Sequence, residues 1–297
     1  METSVADSPE TSTWGADSEH GVLEDVLLAR PDNFRWLATS KISEATLASD
    51  ARFDAVLAKR QHAEMVSAYE DAGVRCHFLD ADPALPYQVF ARDSSTATPR
   101  GPVVLLPQQW WRRGEYAPVL NFYRAANIPL AGMITAAPVE GGDVMIVEPG
   151  CALIGCAETR TQEPGARQLA AIFEADGWEV RIQPFPSLFV HLDVLVAVLA
   201  DKLAAVCTEV VPGGLVSWLR AKGFDLIEVP ADEAFTLGVN AMPLGEDRVL
   251  SGAASHSLNE AMRSRGLTVL DPDLSMFSAG GGGAHCLAQA LRRKKLA

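Results

Sequence analysis

Apolar positions along the chain switch between two periods in a repeated order. Stretches with apolar residues three and four apart predict helices, each ending at a Gly or Asn and followed at once by a strand-like run. "FDAVLAKRQHAEMVSAYEDAG" leads into "VRCHFLD", and "YAPVLNFYRAAN" into "IPLAGM". "PGARQLAAIFEADG" leads into "WEVRIQPF", "GGLVSWLRAKG" into "FDLIEVP", and "SHSLNEAMRSRG" into "LTVLDP". Leu169, Ile172 and Phe173 show the helical spacing, and the glycine after such a run is the usual C-cap. Between these pairs lie apolar runs split by a turn: "QVFARDSSTATPRGPVVLLP", "DVMIVEPGCALIGC", "DVLVAVLADKLAAVC" and "GVNAMPLGEDRVLSG". They read as β-hairpins, with "EPG" and "ADK" as turns. A first strand, "GVLEDVLLARP", opens the series.

The period is regular. Asp93, Asp143 and Asp193 mark hairpin starts at intervals of 50 residues, and Asn240 follows 47 later. Five β–β–α–β units of about fifty residues around one axis make a five-bladed α/β propeller, an architecture that brings the hairpin starts together at its centre. A doubly wound α/β sheet also alternates elements and is the competing architecture. Residues 21–297 read as a single catalytic domain. Residues 1–20 are acidic and Ser/Thr-rich and read as a disordered tail, with no basic start or apolar stretch of a signal peptide.

Charge narrows the partners. The formal net charge is -13 and the one basic block is the terminal "RRKK", which argues against nucleic acid and weakly favours a cationic small molecule. No run approaches the roughly 20 apolar residues of a membrane span. Five cysteines at irregular positions (76, 151, 156, 207 and 286) suit a reduced, cytoplasmic protein. Neither a CxxC pair nor zinc-type His/Cys spacing is present, so no metal and no cofactor is expected. A homodimer stays open.

The polar residues at the hairpin starts are Asp93 in "FARD", Glu140 and Asp143 in "VEGGD", His191 and Asp193 in "FVHLD", and Cys286 after the glycines of "GGGGAHC". A thiol attacks as thiolate, and a nearby base or cation lowers its pKa. A histidine can protonate a departing amine and then activate water, and a carboxylate beside it fixes its orientation. The surplus carboxylates repel one another unless a cation sits among them. A guanidinium fits, since its forked donors pair with carboxylates two at a time. Cys76, Cys151, Cys156 and Cys207 lie in strand-like apolar runs and read as core.

"RD", "EGGD", "HLD" and "GGGGAHC", in this order and at these separations, resemble the guanidino-group-modifying enzymes. These are arginine deiminases, dimethylarginine dimethylaminohydrolases and amidinotransferases, and their fold is the pentein, a five-bladed α/β propeller. The resemblance spans residues 21–290. It implies Cys286 as nucleophile, His191 as general acid/base and Glu140 as a carboxylate of the catalytic centre. Asp93 and Asp193 would grip the guanidinium, and Asp143 would hold the loop. Arg112 in "WWRRGE" and Arg160 in "AETRTQ" resemble the arginines that take the substrate's α-carboxylate, with solvated loop arginines as the alternative. The implied reaction is hydrolysis of a C–N bond of arginine, or an arginine-like ω-guanidino compound, to a ureido product through a covalent amidino-thioether. Amidino transfer to an amine, dimethylarginine hydrolysis, and a non-catalytic binding protein on the same fold stay open. Whether "PQQWW" forms a lid is not decided by the sequence.

Overall fold

A computed structural model describes residues 14–296 of the chain. The chain opens with β1 (Leu23–Leu28), α1 (Lys41–Ala48), α2 (Ala55–Asp71) and β2 (Arg75–Phe78). The next unit is β3 (Ser95–Thr98), β4 (Gly101–Val104), α3 (Tyr116–Ala125) and β5 (Gly132–Met133). It is followed by β6 (Val144–Glu148), β7 (Cys151–Cys156), α4 (Glu163–Glu174) and β8 (Glu179–Pro184). Then come β9 (Val196–Ala200), β10 (Leu203–Val206), α5 (Gly213–Ala221), β11 (Asp225–Glu228) and α6 (Ala231–Phe235). The last units hold β12 (Met242–Gly245), β13 (Arg248–Leu250), α7 (His256–Ser264), β14 (Thr268–Leu270), α8 (Ser275–Ser278) and β15 (Gln289–Arg293).

The strands form five three-stranded sheets. In each, a hairpin is extended by a third strand parallel to its second: β3-β4-β5, β6-β7-β8, β9-β10-β11 and β12-β13-β14. The fifth sheet, β15-β1-β2, is closed by the two ends of the chain, with Val26 opposite Ala290 and Cys76. This is the five-bladed α/β propeller expected from the repeat. Each returning strand needs a crossover to run parallel, and the helix supplies it. One helical stripe serves each sheet: Met65 and Tyr69 of α2, Val119 and Tyr123 of α3, Leu169 and Phe173 of α4, Leu215 and Leu219 of α5, Leu258 and Met262 of α7, all fully buried. Fully burying a side chain of this size contributes about 2 kcal/mol. Losing any one stripe would therefore detach a blade's cover.

The N-terminal expectation needs correction. Residues 14–20 are not a tail: Gly15 exchanges backbone hydrogen bonds with Leu291 and Arg293, each at 3.0 Å, and Glu19 N–H donates to Ile146 at 3.1 Å. Asp17, Ser18 and Glu19 are buried. An acidic composition hid a segment whose charge is matched inside the fold. Residues 1–13 lie outside the described residues. Three short helices, α1, α6 and α8, escape the periodicity because they are brief; α1 buries only Ser43. Among the described residues no helix is long and apolar enough to cross a membrane.

Candidate active site

Three hairpins are entered through short 3-10 turns, Ala91–Ser94, Gly141–Asp143 and Leu192–Val194, which carry Asp93, Asp143 and Asp193. These turns are stapled to one another. Asp93 Oδ1 accepts from Gly142 N–H of the next unit at 3.2 Å, and Asp143 Oδ1 accepts from Leu192 N–H at 2.7 Å. Asn240 Oδ1 does the same for His285 N–H at 3.0 Å and Cys286 N–H at 3.3 Å. Arg92 N–H donates to the Cys286 carbonyl at 3.2 Å, which ties the last turn back to the first described one. The fifty-residue spacing thus records a physical device: at three of these hairpin starts, Asp93, Asp143 and Asn240, one side chain satisfies backbone donors that burial would otherwise strand.

The predicted residues meet there. His191 Nε2 and Glu140 Oε2 are 2.7 Å apart, and Arg160 Nη1 donates to the same oxygen at 3.3 Å. His191 Nδ1 has no hydrogen-bond partner and lies 3.6 Å from Asp93 Oδ1. Cys286 Sγ is 3.7 Å from Asp193 Oδ2 and receives the Asn240 amide N–H at 3.3 Å. Asp193 Oδ1 is buried without a partner. The site is closed over: Cys286 is 4% exposed and His191 2%. Two contacts cover Glu140 and its partner. Gln108 N–H donates to Glu140 Oε1 at 2.9 Å, and Arg160 Nη2 donates to the Thr39 carbonyl at 2.5 Å.

Electrostatics sorts the groups. Burial by itself lowers the His191 imidazolium, but Asp93, Asp143 and Glu140 outweigh it and raise the pKa to about 9. Glu140 is held well below the usual carboxylate range: burial opposes this, and Arg160 and His191 prevail. Burial, then Asp193 and Asp93, push the Cys286 thiol well above its ordinary value. At neutral pH the unliganded site therefore pairs a neutral thiol with an imidazolium.

Both candidate arginines are buried and engaged. Arg112 forks onto Glu115 at 2.8 Å through Nε and Nη2, and its Nη1 meets Asp93 Oδ2 at 2.6 Å. It braces Asp93 in this state, with neither the exposure nor the freedom of a loop arginine. Arg160 links Glu140 to the backbone at Thr39. Arg92 of the "RD" pair holds the next turn, its Nε on Gly141 O at 3.0 Å and its Nη2 on Val144 O at 2.5 Å. Glycines 142 and 283 are needed for close approach. A Cβ on Gly142 would lie 2.6 Å from His191 Nδ1, and one on Gly283 would lie 2.7 Å from Asn240 Oδ1.

Sequence reasoning named Asn240 only as a hairpin marker and did not single out His285, Glu19 or Glu115. Asn240 carried a signal in its spacing, and His285 in its place beside the thiol. Glu19 and Glu115 had none, because their importance depends on arginines distant in sequence or on a local fork. Asp93, Glu140 and His191 offer ligand atoms within 4.8 Å of one another and could in principle take a metal. Arg112, Arg160 and the imidazolium already offset part of that charge, so the donor set does not call for a metal ion.

The geometry agrees with the comparisons to known proteins. A family model described as N,N dimethylarginine dimethylhydrolase, eukaryotic, matches residues 30–293. The chain belongs to this family. Similar curated proteins place the dimethylarginine dimethylhydrolase homologue in wider company. The uncharacterized protein YkgA of Bacillus subtilis is 27% identical over 93% of this chain and 94% of that protein. An arginine deiminase of Mycobacterium marinum is 26% identical over 90% of this chain and 72% of that protein. Solved structures share the fold. DDAH from Pseudomonas aeruginosa, complexed with citrulline, has a TM-score of 0.76 at 24% identity and covers 90% of this chain and 99% of that one. The N-terminal domain of ArgZ, a cyanobacterial arginine dihydrolase bound to substrate, has a TM-score of 0.81 at 17% identity and covers 92% and 99%. The family model and these relatives place the chain among the guanidino-modifying hydrolases of the pentein superfamily.

Proposed function

We propose that the chain is a cysteine-dependent hydrolase of arginine, or of an arginine-like ω-guanidino compound, that yields a ureido product and ammonia or an amine. One observation carries this reading: Asp193, its Oδ1 unpartnered, lies 3.7 Å from Cys286 Sγ, and Asp93, which also acts on that thiol, lies 3.6 Å from the unpartnered Nδ1 of the His191 imidazolium. A planar cation supplies the donors that Asp193 Oδ1 lacks, and its departing nitrogen, once sulfur has added to the carbon, takes the proton that His191 Nδ1 holds. Its N–H groups donate to Asp193 and Asp93, and its charge offsets the two carboxylates that hold the thiol up.

The steps then follow. As the cation enters, the Cys286 proton passes to solvent water, and Sγ attacks the central guanidinium carbon. As the C–N bond breaks, His191 gives its Nδ1 proton to the departing nitrogen, which leaves as ammonia or amine. Glu140 keeps the ring oriented through Nε2 throughout. Nδ1 next takes a proton from water, the water oxygen attacks the same carbon, and the C–S bond breaks as the remaining O–H proton passes to Sγ, which releases the ureido product and restores the Cys286 thiol. Arg160 would reach the substrate's α-carboxylate by leaving Thr39, a single carbonyl. Arg112 could do so only by leaving Glu115 and Asp93.

Free arginine is the first substrate to test, because Asp93 and Asp193 on two sides favour an unsubstituted guanidinium. Dimethylarginine is the second reading, supported by the family model. Ureido formation from L-arginine and from Nω,Nω-dimethyl-L-arginine, with ammonia and dimethylamine measured separately, decides between them. Amidino transfer to glycine in the same assay would point instead to a transferase. Cys286→Ser is expected to remove turnover while leaving the fold intact. Near-normal activity in that variant would exclude the mechanism.

A further inference from the structure

We propose that His285 is a positioning residue for this reaction, one that holds Asp193 by one oxygen and leaves the other turned toward the substrate; the inference rests on the guanidino-hydrolase reading above. Its starting point is an exception in the ring of staples. Asp93, Asp143 and Asn240 each spend one side-chain oxygen on backbone N–H of the following unit. Asp193 stands at the same place in its unit, yet accepts no backbone N–H there. Its Oδ2 instead meets His285 Nδ1 at 2.8 Å, and its Oδ1 has no partner.

The imidazole takes over the task that the backbone performs elsewhere, with a different consequence. A backbone N–H would fix one carboxylate oxygen with a neutral donor. His285, 5% exposed, adds the strongest of the influences holding Asp193 below its ordinary range against burial. A carboxylate kept ionised in a dry pocket grips a cation; a protonated one does not. Oδ2 is also the oxygen 3.7 Å from Cys286 Sγ. With that oxygen already accepting from His285, Oδ1 is the free acceptor for the guanidinium.

His285 is itself held from behind. Its Nε2 lies 3.8 Å from Glu19 Oε2, and Glu19 is fixed by Ile146 N–H at 3.1 Å and Arg92 at 3.4 Å. Glu19 stays ionised: burial opposes, while Arg92, His285 and Arg293 hold it down. The charged groups around the pair therefore come from every neighbouring turn: Glu19 from the N-terminal segment, Arg92 before β3, His191 and Asp193 before β9, and Arg293 of β15, with Cys286 adjacent and Asn240 neutral.

The test uses the full chain with L-arginine and Nω,Nω-dimethyl-L-arginine as probes. His285→Ala is expected to raise KM about tenfold, with a smaller change in kcat, as for one lost hydrogen bond to a charged group. The acid limb of its kcat/KM profile should move to higher pH as Asp193 loses its partner. His285→Asn, whose amide nitrogen falls near ring Nδ1, should restore both; His285→Gln, whose nitrogen falls near Nε2, should not. This pair also serves if the alanine variant fails to fold. Equal behaviour of Asn and Gln, or a folded alanine variant with unchanged KM and acid limb, would overturn the inference. Asp193→Asn separates the two levels. If it binds both probes as well as wild type, the grip on the guanidinium fails and the site reading fails with it. If it is crippled while His285→Ala is normal, only the role of His285 fails.

Discussion

The turns around Asp143 and Asp193 lie one repeat apart and share a residue type, yet their carboxylates behave in opposite ways. Asp143 spends Oδ1 on Leu192 N–H, and burial raises its pKa to about 6 despite His191, Thr161 and that backbone donor. Asp193 faces the same burial but is lowered, because His285 meets it directly and His191 and Arg92 add charge. One turn became a structural joint; the other became a charged wall of the pocket. A repeat therefore fixes where a side chain sits, and the groups arriving from other units fix how firmly it holds its charge.

That contrast can be broken experimentally, and the largest effect should come from Asp193. Asp193→Asn is expected to lower kcat/KM by about 100-fold, the scale of removing one partner from a buried ion pair. Steady-state kinetics with L-arginine reads it, and a loss under threefold would show that Asp193 is a joint like its neighbour. Gly142→Ala comes next. The added Cβ would press on His191 Nδ1, and a misplacement of an ångström costs on the order of 100-fold in rate. Melting temperature should move much less than kcat, because the clash is with one ring; a large fall in melting temperature with normal kcat would contradict this.

Stability against pH gives a medium effect. Asp143 has a folded pKa of about 6 against 3.8 for a free aspartate side chain, so between these values the native state holds a proton that the unfolded chain has lost. Its contribution is complete below 3.8 and disappears as pH rises through about 6. Wild-type thermal stability should lose this component between pH 4 and 7 relative to Asp143→Asn, which keeps an oxygen acceptor for Leu192 and cannot ionise. Parallel melting curves for the two proteins across that range would refute the assignment. The smallest effect expected is on the activity of Asp143→Asn itself, within about threefold of wild type at pH 7.

Much of this was legible because the signals were periodic. Hairpin starts at 93, 143 and 193 could be read from the chain, since a propeller repeats its burial pattern and its turns. The divergence of Asp143 from Asp193 could not be read, because it depends on His285, which is 92 residues from Asp193. Arg112 misled in a similar way. A loop arginine before a glutamate looks solvated until Asp93 is placed beside it. Glu19 was lost in an acidic segment whose partners, Arg92 and His285, are 73 and more residues distant.

The amino-acid order alone determined four hairpins, their helical crossovers and the set of hairpin-start residues, because helix and strand periods and turn residues are local properties. Only the closed ring decided which carboxylates face a cation, which arginines brace them and which histidine stands behind the thiol. Charge state in a dry centre depends on neighbours within a few ångströms, and here those neighbours come from both ends of the chain.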